Sequence, residues 1–318
     1  MLIRPLTPND YPTIVQIAAA TFPDYPTSIE EIKFGDTSRP AHCRHARWIA
    51  ERDGQGVGFG EYGQYASQYH PRKFNVDVTV RPEHQGQGFG KALYDQIMEA
   101  LAPTDPLSVR TQVREDKARG VRFLQDRGFV EDMRVFESHL DVTAFDPASY
   151  GDVEARMLDL GIEFKTLREL RDVPGHWDKH FALIEEVNDD VPSAEPHTPM
   201  SKDVWRLRMD GNPELLPDGY FFAGRGGEYI GITMLFGSGN GDDLKTGLTA
   251  VKREYRRQGV ALALKLRAIA WAKSAGKSRV KTWNESNNLG MLGINERLGF
   301  VRQPAWLEMV LKLKEETE

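Results

Sequence analysis

Apolar and polar residues alternate along "FNVDVTV" (residues 74–80), which puts Val76, Val78 and Val80 on one face of a predicted strand and Asp77 on the other. "KALYDQIMEAL" (91–101) instead spaces its apolar residues at the helical period and predicts a helix. Between the two lies "HQGQGFG", with Gly86, Gly88 and Gly90 at every second position. The same patterning predicts a strand at Leu2 to Arg4 and helices from about Asp10 to Ala20 and Ser28 to Phe34. "RWIAERDGQGVGFGEYGQY" predicts a hairpin turning at Asp53-Gly54. "LSVRTQV" follows as a strand, "KARGVRFLQDRG" as a helix and "RVFESHLDV" as a strand.

That order of elements returns in the second half. A shift of 171 residues lays Val80 on Val251, Gly88 on Gly259, Leu93 on Leu264, Val109 on Val280 and Thr111 on Thr282. The same shift lays "GFV" at Gly128 on "GFV" at Gly299. The matches fall on glycines and apolar strand positions, so the chain reads as two diverged copies of one domain. "FKTLREL" opens the second copy, "HWDKHFALIEEVN" and "SKDVWRLRMD" are helices, and "YFFAGRGGEYIGITMLFG" is a hairpin turning at Gly226-Gly227. "TGLTAV", a second glycine turn, "ALALKLRAIAWAKSAG", "SRVKTW", "MLGINERLG" and "WLEMVLKL" complete it. Between the copies, "LDVTAFDPASYGDVEARMLDLG" predicts a linker helix, with Asp146 as its cap, Pro147 in its first turn, and Val153, Met157 and Leu160 on one face. The expected organisation is an α/β fold in two domains, each a mixed sheet with flanking helices: 1–145, a linker region 146–161, and 162–318.

At 318 residues the chain has room for two domains, and 40% apolar with 28% charged residues suits a globular protein. A net charge of −6 and the lack of basic runs argue against nucleic acid as a partner. The single cysteine, Cys43, forms no internal disulfide and suggests a reducing cytoplasm. Neither a signal-peptide core nor a bilayer-length apolar run is expected. His42, Cys43 and His45 lack partners at metal-ligand spacing, so no metal is expected.

A helix N-terminus offers unpaired N–H groups and a positive dipole end, and glycines let a phosphate approach them. "GQGFGK" lacks the Ser or Thr that a nucleotide-triphosphate loop carries after its lysine. The pattern resembles motif A of the GNAT superfamily of acyl-CoA N-acyltransferases, Gln/Arg-x-x-Gly-x-Gly/Ala between a strand and a helix. Gln85-Gly86-Gln87-Gly88-Phe89-Gly90 matches it, as does Arg256-Arg257-Gln258-Gly259-Val260-Ala261. The resemblance spans both halves. It implies that these residues hold the pyrophosphate of acetyl-CoA through backbone N–H groups, with Lys91 a further candidate. It also implies that the preceding strands pair with the pantetheine arm, at Val78 and Val80 or Thr249 and Val251, and steady the oxyanion. In this superfamily the fourth and fifth strands splay apart, usually beside a bulge. "TWNESNNLGMLGINERLGF" resembles motif B of some bacterial members, which makes Asn284 and Asn288 further acyl-CoA contacts; Asn288 also suits a helix cap. The matching first-copy positions, Val113, Lys117 and Leu124, lack that signature.

Many members protonate the leaving thiolate with a tyrosine four residues before Gly-Phe. Leu124 and Asn295 stand there instead, but a thiol of pKa near 8.5 can leave unaided. Asp77 and Glu61 are the candidate bases, open to a raised pKa if buried. His70 and His84 also titrate in the right range. Tyr25, Tyr65, Tyr69 and Trp177 are candidates for an acceptor cleft or for packing. Two functions follow. One is an N-acetyltransferase acting on a primary amine of a small molecule or peptide by direct attack in a ternary complex. The other is a catalytically degenerate acyl-CoA-binding module with a structural or regulatory role.

Overall fold

The hairpin expected at Asp53-Gly54 forms: both residues have positive φ (53° and 78°), and Arg52 faces Gln55 across them. The computed structural model describes residues 1–239 and 241–315. Its contacts divide the chain into two units that do not follow the sequence linearly. Unit 1 comprises Met1–Val135, Ala194–Thr198 and Pro304–Glu318; unit 2 comprises Phe136–Ser193 and Pro199–Gln303.

Unit 1 contains β1 (Leu2–Pro5), α1 (Tyr11–Thr21), α2 (Ile29–Thr37), β2 (His45–Arg52), β3 (Gln55–Gly63), β4 (Lys73–Val80), α3 (Phe89–Leu101), β5 (Ser108–Arg114) and α4 (Ala118–Gln125). The next strand, β6 (Val130–Asp141), begins in unit 1 and ends in unit 2. Unit 2 adds α5 (Val153–Asp159), β7 (Glu163–Thr166), α6 (Leu167–Leu170), α7 (His176–Asn188), α8 (Lys202–Asp210), β8 (Leu215–Arg225) and β9 (Glu228–Phe236). It continues with β10 (Asp243–Val251), α9 (Val260–Ser274), β11 (Arg279–Glu285), α10 (Leu289–Arg297) and β12 (Val301–Arg302). The last strand, β13 (Trp306–Lys312), returns to unit 1.

The unit 1 sheet runs β1-β2-β3-β4-β5-β13-β6, antiparallel except for β4 and β5. Unit 2 runs β7-β8-β9-β10-β11 and then the second half of β6, again with one parallel pair, β10 and β11. Both are mixed α/β units with flanking helices, as the patterning predicts. The final strand departs from the expected order. "WLEMVLK" does not close the second copy's sheet; it zips against β5 from Trp306–Arg114 to Lys312–Ser108. Leu307 and Met309 are buried in the unit 1 core with Phe74, Leu93 and Val109. Alternation identifies a strand but not its neighbour, and no repeat landmark lies beyond Val301.

The linker also differs. Asp146 accepts from Ala148 N at 3.0 Å, but it caps only a single turn of 3₁₀ helix over Pro147–Tyr150. Gly151, at φ 64°, ends that turn, and α5 starts at Val153, with Val153 and Met157 buried.

Helix α3 explains how the first glycine turn is held. Phe89, Leu93, Ile97 and Leu101 recur at the helical period on its buried face, and each contributes roughly 1.5–3 kcal/mol of apolar burial. Gly60 of β3 lets that face approach: a Cβ there would lie 3.0 Å from Ile97 Cδ1 and 3.3 Å from Leu93.

Candidate functional site

The parallel ladder of β4 and β5 pairs Lys73–Ser108, Phe74–Val109 and Asn75–Arg110, and ends there. Beyond Asn75 the strands part, and a cleft of about 730 Å³ opens, lined by β4 from Val76 to Val80, by Thr111 and Val113 of β5, by the glycine turn and by α4. The bulge expected beside the splay is not present here. β3 and β4 keep unbroken register from Gly58–Val80 to Gly63–Asn75, because neither strand inserts a residue, and so Asp77 stays opposite Glu61.

The glycine turn meets the cleft with backbone. Gly86 and Gly88 have φ of 76° and 91°, and Gly88 is the N-cap of α3. A Cβ at Gly86 would lie 3.2 Å from the Arg119 guanidinium. Gln85 and Gln87 fold back on the turn: Gln85 donates to Val80 O at 3.0 Å and Gln87 to Glu83 O at 2.9 Å. Phe89 is buried in the core, so only its backbone can serve a ligand, whereas Val78, Gly90 and the largely buried Val80 line the cleft. Lys91 lines it too, paired with Asp95 at 2.5 Å.

Further cations line this cleft, and the motif pattern gave no pointer to them. Lys117 and Arg119, from the start of α4, have no carboxylate partner among the described residues. Arg127 lies over the Phe123 ring, 3.5 Å from its centroid, and donates to Phe123 O at 2.8 Å. The cations are interspersed with Glu115, Asp116 and Asp126 in "REDKARGVRFLQDR", which is why no run of like charge marked them.

The two candidate bases part company. Asp77 lines the cleft, with only a long 3.5 Å hydrogen bond from Thr111 Oγ1. Burial, and then the negative charge of Glu61, push its pKa up to about 7. Glu61 is half-buried, which works against its charge. The hydrogen bond from His45 Nε2 at 3.1 Å and the Arg47 guanidinium outweigh that and hold its pKa down to about 2. Asp36 takes the other edge of Arg47 at 2.9 Å, so Glu61 belongs to a fixed ion-pair cluster.

Unit 2 keeps the frame and changes its contents. Its parallel ladder ends at Lys245–Lys281, and here a bulge does interrupt β9 and β10, between Thr246 and Thr249. Gly259 is the N-cap of α9 at φ 91°. Arg256 donates to Val251 O at 2.9 Å and Gln258 to Glu254 O at 3.1 Å, reproducing the first turn. Arg257, where the first copy has Gly86, holds φ 61° without being glycine. Asp190 pairs with Arg256 and Arg253. Val251 and Val260 are buried, Ala261 packs against the core, and Thr249 bonds Thr233 at 2.7 Å. Leu248 stands where the repeat shift places Asp77, and Lys265 where it places Tyr94. Lys265 is buried, which lowers its pKa to about 8. Asn288 caps α10 by accepting from Met291 N at 3.3 Å. Asn284 accepts from Asn295 Nδ2 at 2.6 Å, while the buried Asn295 Oδ1 has no hydrogen-bond partner among the described residues.

Among the aromatic candidates, Trp177 is core in unit 2, donating to Arg171 O at 3.1 Å. Tyr69 packs edge-on to His42, and Tyr65 is exposed. Tyr25 accepts from Arg114 at 3.2 Å beside the cleft residues Phe22 and Trp306. Among the described residues, no cluster of three metal-ligating side chains occurs and no helix is long and apolar enough to cross a membrane.

Comparison with known proteins agrees with this geometry. A family model described as an acetyltransferase (GNAT) domain matches residues 44–131, and one described as the acetyltransferase (GNAT) family matches residues 181–300. No curated protein matches the chain. Among solved structures, a tandem GNAT protein from the clavulanic acid biosynthesis pathway is similar at TM-score 0.76 and 17% identity, covering 99% of each chain. A GCN5-related N-acetyltransferase from Sphaerobacter thermophilus is similar at TM-score 0.72 and 18% identity, covering 100% of this chain and 97% of that one. A putative acetyltransferase from Pyrococcus horikoshii follows at TM-score 0.57 and 13% identity, covering 100% and 91%. With two family matches, each on a splayed sheet and a glycine-turned helix, the chain belongs to the GNAT acetyltransferase family as a tandem of two such domains, a fold that supports acyl transfer.

Proposed function

We propose that the chain is an N-acetyltransferase that moves the acetyl group of acetyl-CoA to a primary amine of a small molecule or peptide, and that the cleft of unit 1 does the work. The observation that carries this reading is Asp77. It is a half-buried carboxylate, its pKa raised to about 7, on the wall of a cleft that also holds the glycine turn. The cleft fits the donor: a side chain at Gly86 would fill the cradle against Arg119, and Lys117 and Arg119 have charge to give a phosphate. When bound, acetyl-CoA supplies an acyl carbon activated as a thioester. The N–H groups from Gly86 to Gly90 bind its pyrophosphate, and the free edge of β4 at Val78 and Val80 takes its pantetheine amides as an added strand. Asp77 takes the proton that the acceptor ammonium sheds before its nitrogen can attack. The C–N bond forms, the C–S bond breaks, the nitrogen's surplus proton leaves to solvent, and the thiolate takes a proton from solvent. The single cysteine supports a cytoplasmic setting.

For unit 2 a different reading is favoured, an acyl-CoA-binding or structural half without catalysis, because Leu248 replaces the carboxylate. Calorimetric titration of acetyl-CoA into the parent, Gly88→Trp and Gly259→Trp separates the halves. Loss of the catalytically linked binding in Gly88→Trp, with thiol release from acetyl-CoA on adding amines to the parent, is the expected result. No binding to the parent overturns the assignment.

A further inference from the structure

The cleft that holds Asp77 also has an aromatic wall. Phe22 and Trp306 both line it, with ring centroids 5.9 Å apart. Tyr25 stands edge-on to both, at 6.1 and 5.5 Å. Tyr25 is anchored by its hydroxyl, which accepts from Arg114 at 3.2 Å, and Arg114 is itself paired with Asp116 at 2.8 Å. Phe22 and Trp306 are only half-buried, so each leaves ring surface open to the cleft. They come from opposite ends of the chain: Phe22 is the C-cap of α1, and Trp306 opens β13 opposite Arg114 of β5. Apolar ring surface converging with one polar group in a cleft is the usual make-up of a small-molecule site.

One strand, β5, lies between β4 with Asp77 and β13 with Trp306, so two inter-strand steps separate them. At about 4.8 Å per strand the backbones stand at least roughly 10 Å apart. Side chains reaching in from both ends leave room for a ring on a short arm. Arg114 behind the wall is neutralised by Asp116, which leaves Lys117 Nζ, 5.7 Å from the Phe22 ring centroid, as the uncompensated charge beside it. A second cationic group on the acceptor would meet repulsion there.

Resting on the function proposed above, we infer that the acceptor is a primary amine joined to an aromatic ring by a short aliphatic arm. Its nitrogen lies at Asp77 and its ring against Phe22 and Trp306. The last strand of the chain thus supplies specificity to the first glycine-turn domain.

The test is thiol release from acetyl-CoA with phenethylamine, tryptamine, n-butylamine and spermidine, on the parent, Trp306→Ala, Trp306→Phe and Phe22→Ala. Ring-bearing amines should exceed n-butylamine and spermidine at least tenfold in kcat/KM. Trp306→Ala should remove most of that preference by raising KM for the ring-bearing amines, and Trp306→Phe should keep it. Phe22→Ala gives the same readout should Trp306→Ala fail to fold. Equal or better turnover of n-butylamine or spermidine overturns the aromatic acceptor and leaves the acetyltransferase reading standing. Acetyl-CoA binding without turnover of any amine overturns both.

Discussion

The two glycine turns are nearly superposable in their backbone logic and almost unrelated in what surrounds them. Gly88 and Gly259 share φ 91°, Gly128 and Gly299 share φ near 85°, and the back-bonds of Gln85 and Gln87 recur in Arg256 and Gln258. Yet Asp77 becomes Leu248, Lys117 becomes Asn288, Arg119 becomes Gly290 and Tyr94 becomes Lys265. The backbone that folds the turn repeats, while the charged and polar side chains Asp77, Lys117, Arg119 and Tyr94 that line the first cleft do not. A well-kept glycine turn therefore reports a kept fold and says little about which half is active.

The largest effect should come from Asp77→Asn. Removing a general base commonly lowers turnover about 10²–10⁴-fold, whereas Leu248→Asn should leave turnover within about twofold of the parent. In the parent, activity should fall as pH drops below about 7, where Asp77 becomes protonated. Stability should move the other way. A carboxyl whose pKa is raised on folding stabilises the fold at low pH and loses that contribution as pH rises towards 7. Asp77→Asn should therefore melt higher than the parent at pH 8 and close to it near pH 4. A strong turnover loss in Leu248→Asn would break the contrast between the halves.

The next effect tests where the last strand belongs. Leu307→Ala and Met309→Ala should each destabilise unit 1 by about 2–5 kcal/mol, because both side chains are buried in its core. Their place in the sequence suggests the second copy. Amide exchange should show β4 and α3 losing protection first. If β10 and α9 lose it first, the packing of β13 has been misassigned. Much else was legible without coordinates. The hairpin turns, α3 and both glycine turns follow from period, turn chemistry and spacing. Asp77 stood out as a carboxylate on the face opposite Val76 and Val78. The patterning could not separate Asp77 from Glu61, because that depends on Arg47 and His45 crossing from β2. Nor could it find Trp306, whose role depends on a strand pairing with residues nearly 200 positions away.

A smaller effect distinguishes the units by pH. In unit 2, His176 and His180 are buried; burial lowers His176 to about 4 and His180 well below its ordinary value. His180 Nε2 lies 2.5 Å from Tyr220 Oη, and His176 Nδ1 2.9 Å from Tyr229 Oη. A histidine kept neutral by the fold takes up protons more readily when unfolded, so its contribution holds above about pH 6.5 and fades below it. Unit 2 should thus weaken as pH falls from 7 to 5, while the Asp77 contribution strengthens unit 1 over the same range. Calorimetric melts at both pH values, with His180→Phe flattening the unit 2 response, check the opposite slopes. Parallel slopes would remove this difference.

The smallest effect compares the turns at one residue. A non-glycine residue in the left-handed region is strained by roughly 1–2 kcal/mol, and Arg257 bears that strain at φ 61°. Arg257→Gly relieves it, but glycine's freer unfolded chain takes back roughly 0.5–1 kcal/mol, so the net gain should be under about 1 kcal/mol. Gly86→Ala imposes the strain on unit 1, with a further contact at 3.2 Å that the flexible end of Arg119 can yield to; the loss should be about 1 kcal/mol. Urea unfolding of both variants measures the pair. A stability loss in Arg257→Gly would mean that the guanidinium makes contacts worth more than its strained backbone. The second turn would then be held by its side chains and the first by the absence of them, which is the arrangement expected if only the first must leave room for a phosphate.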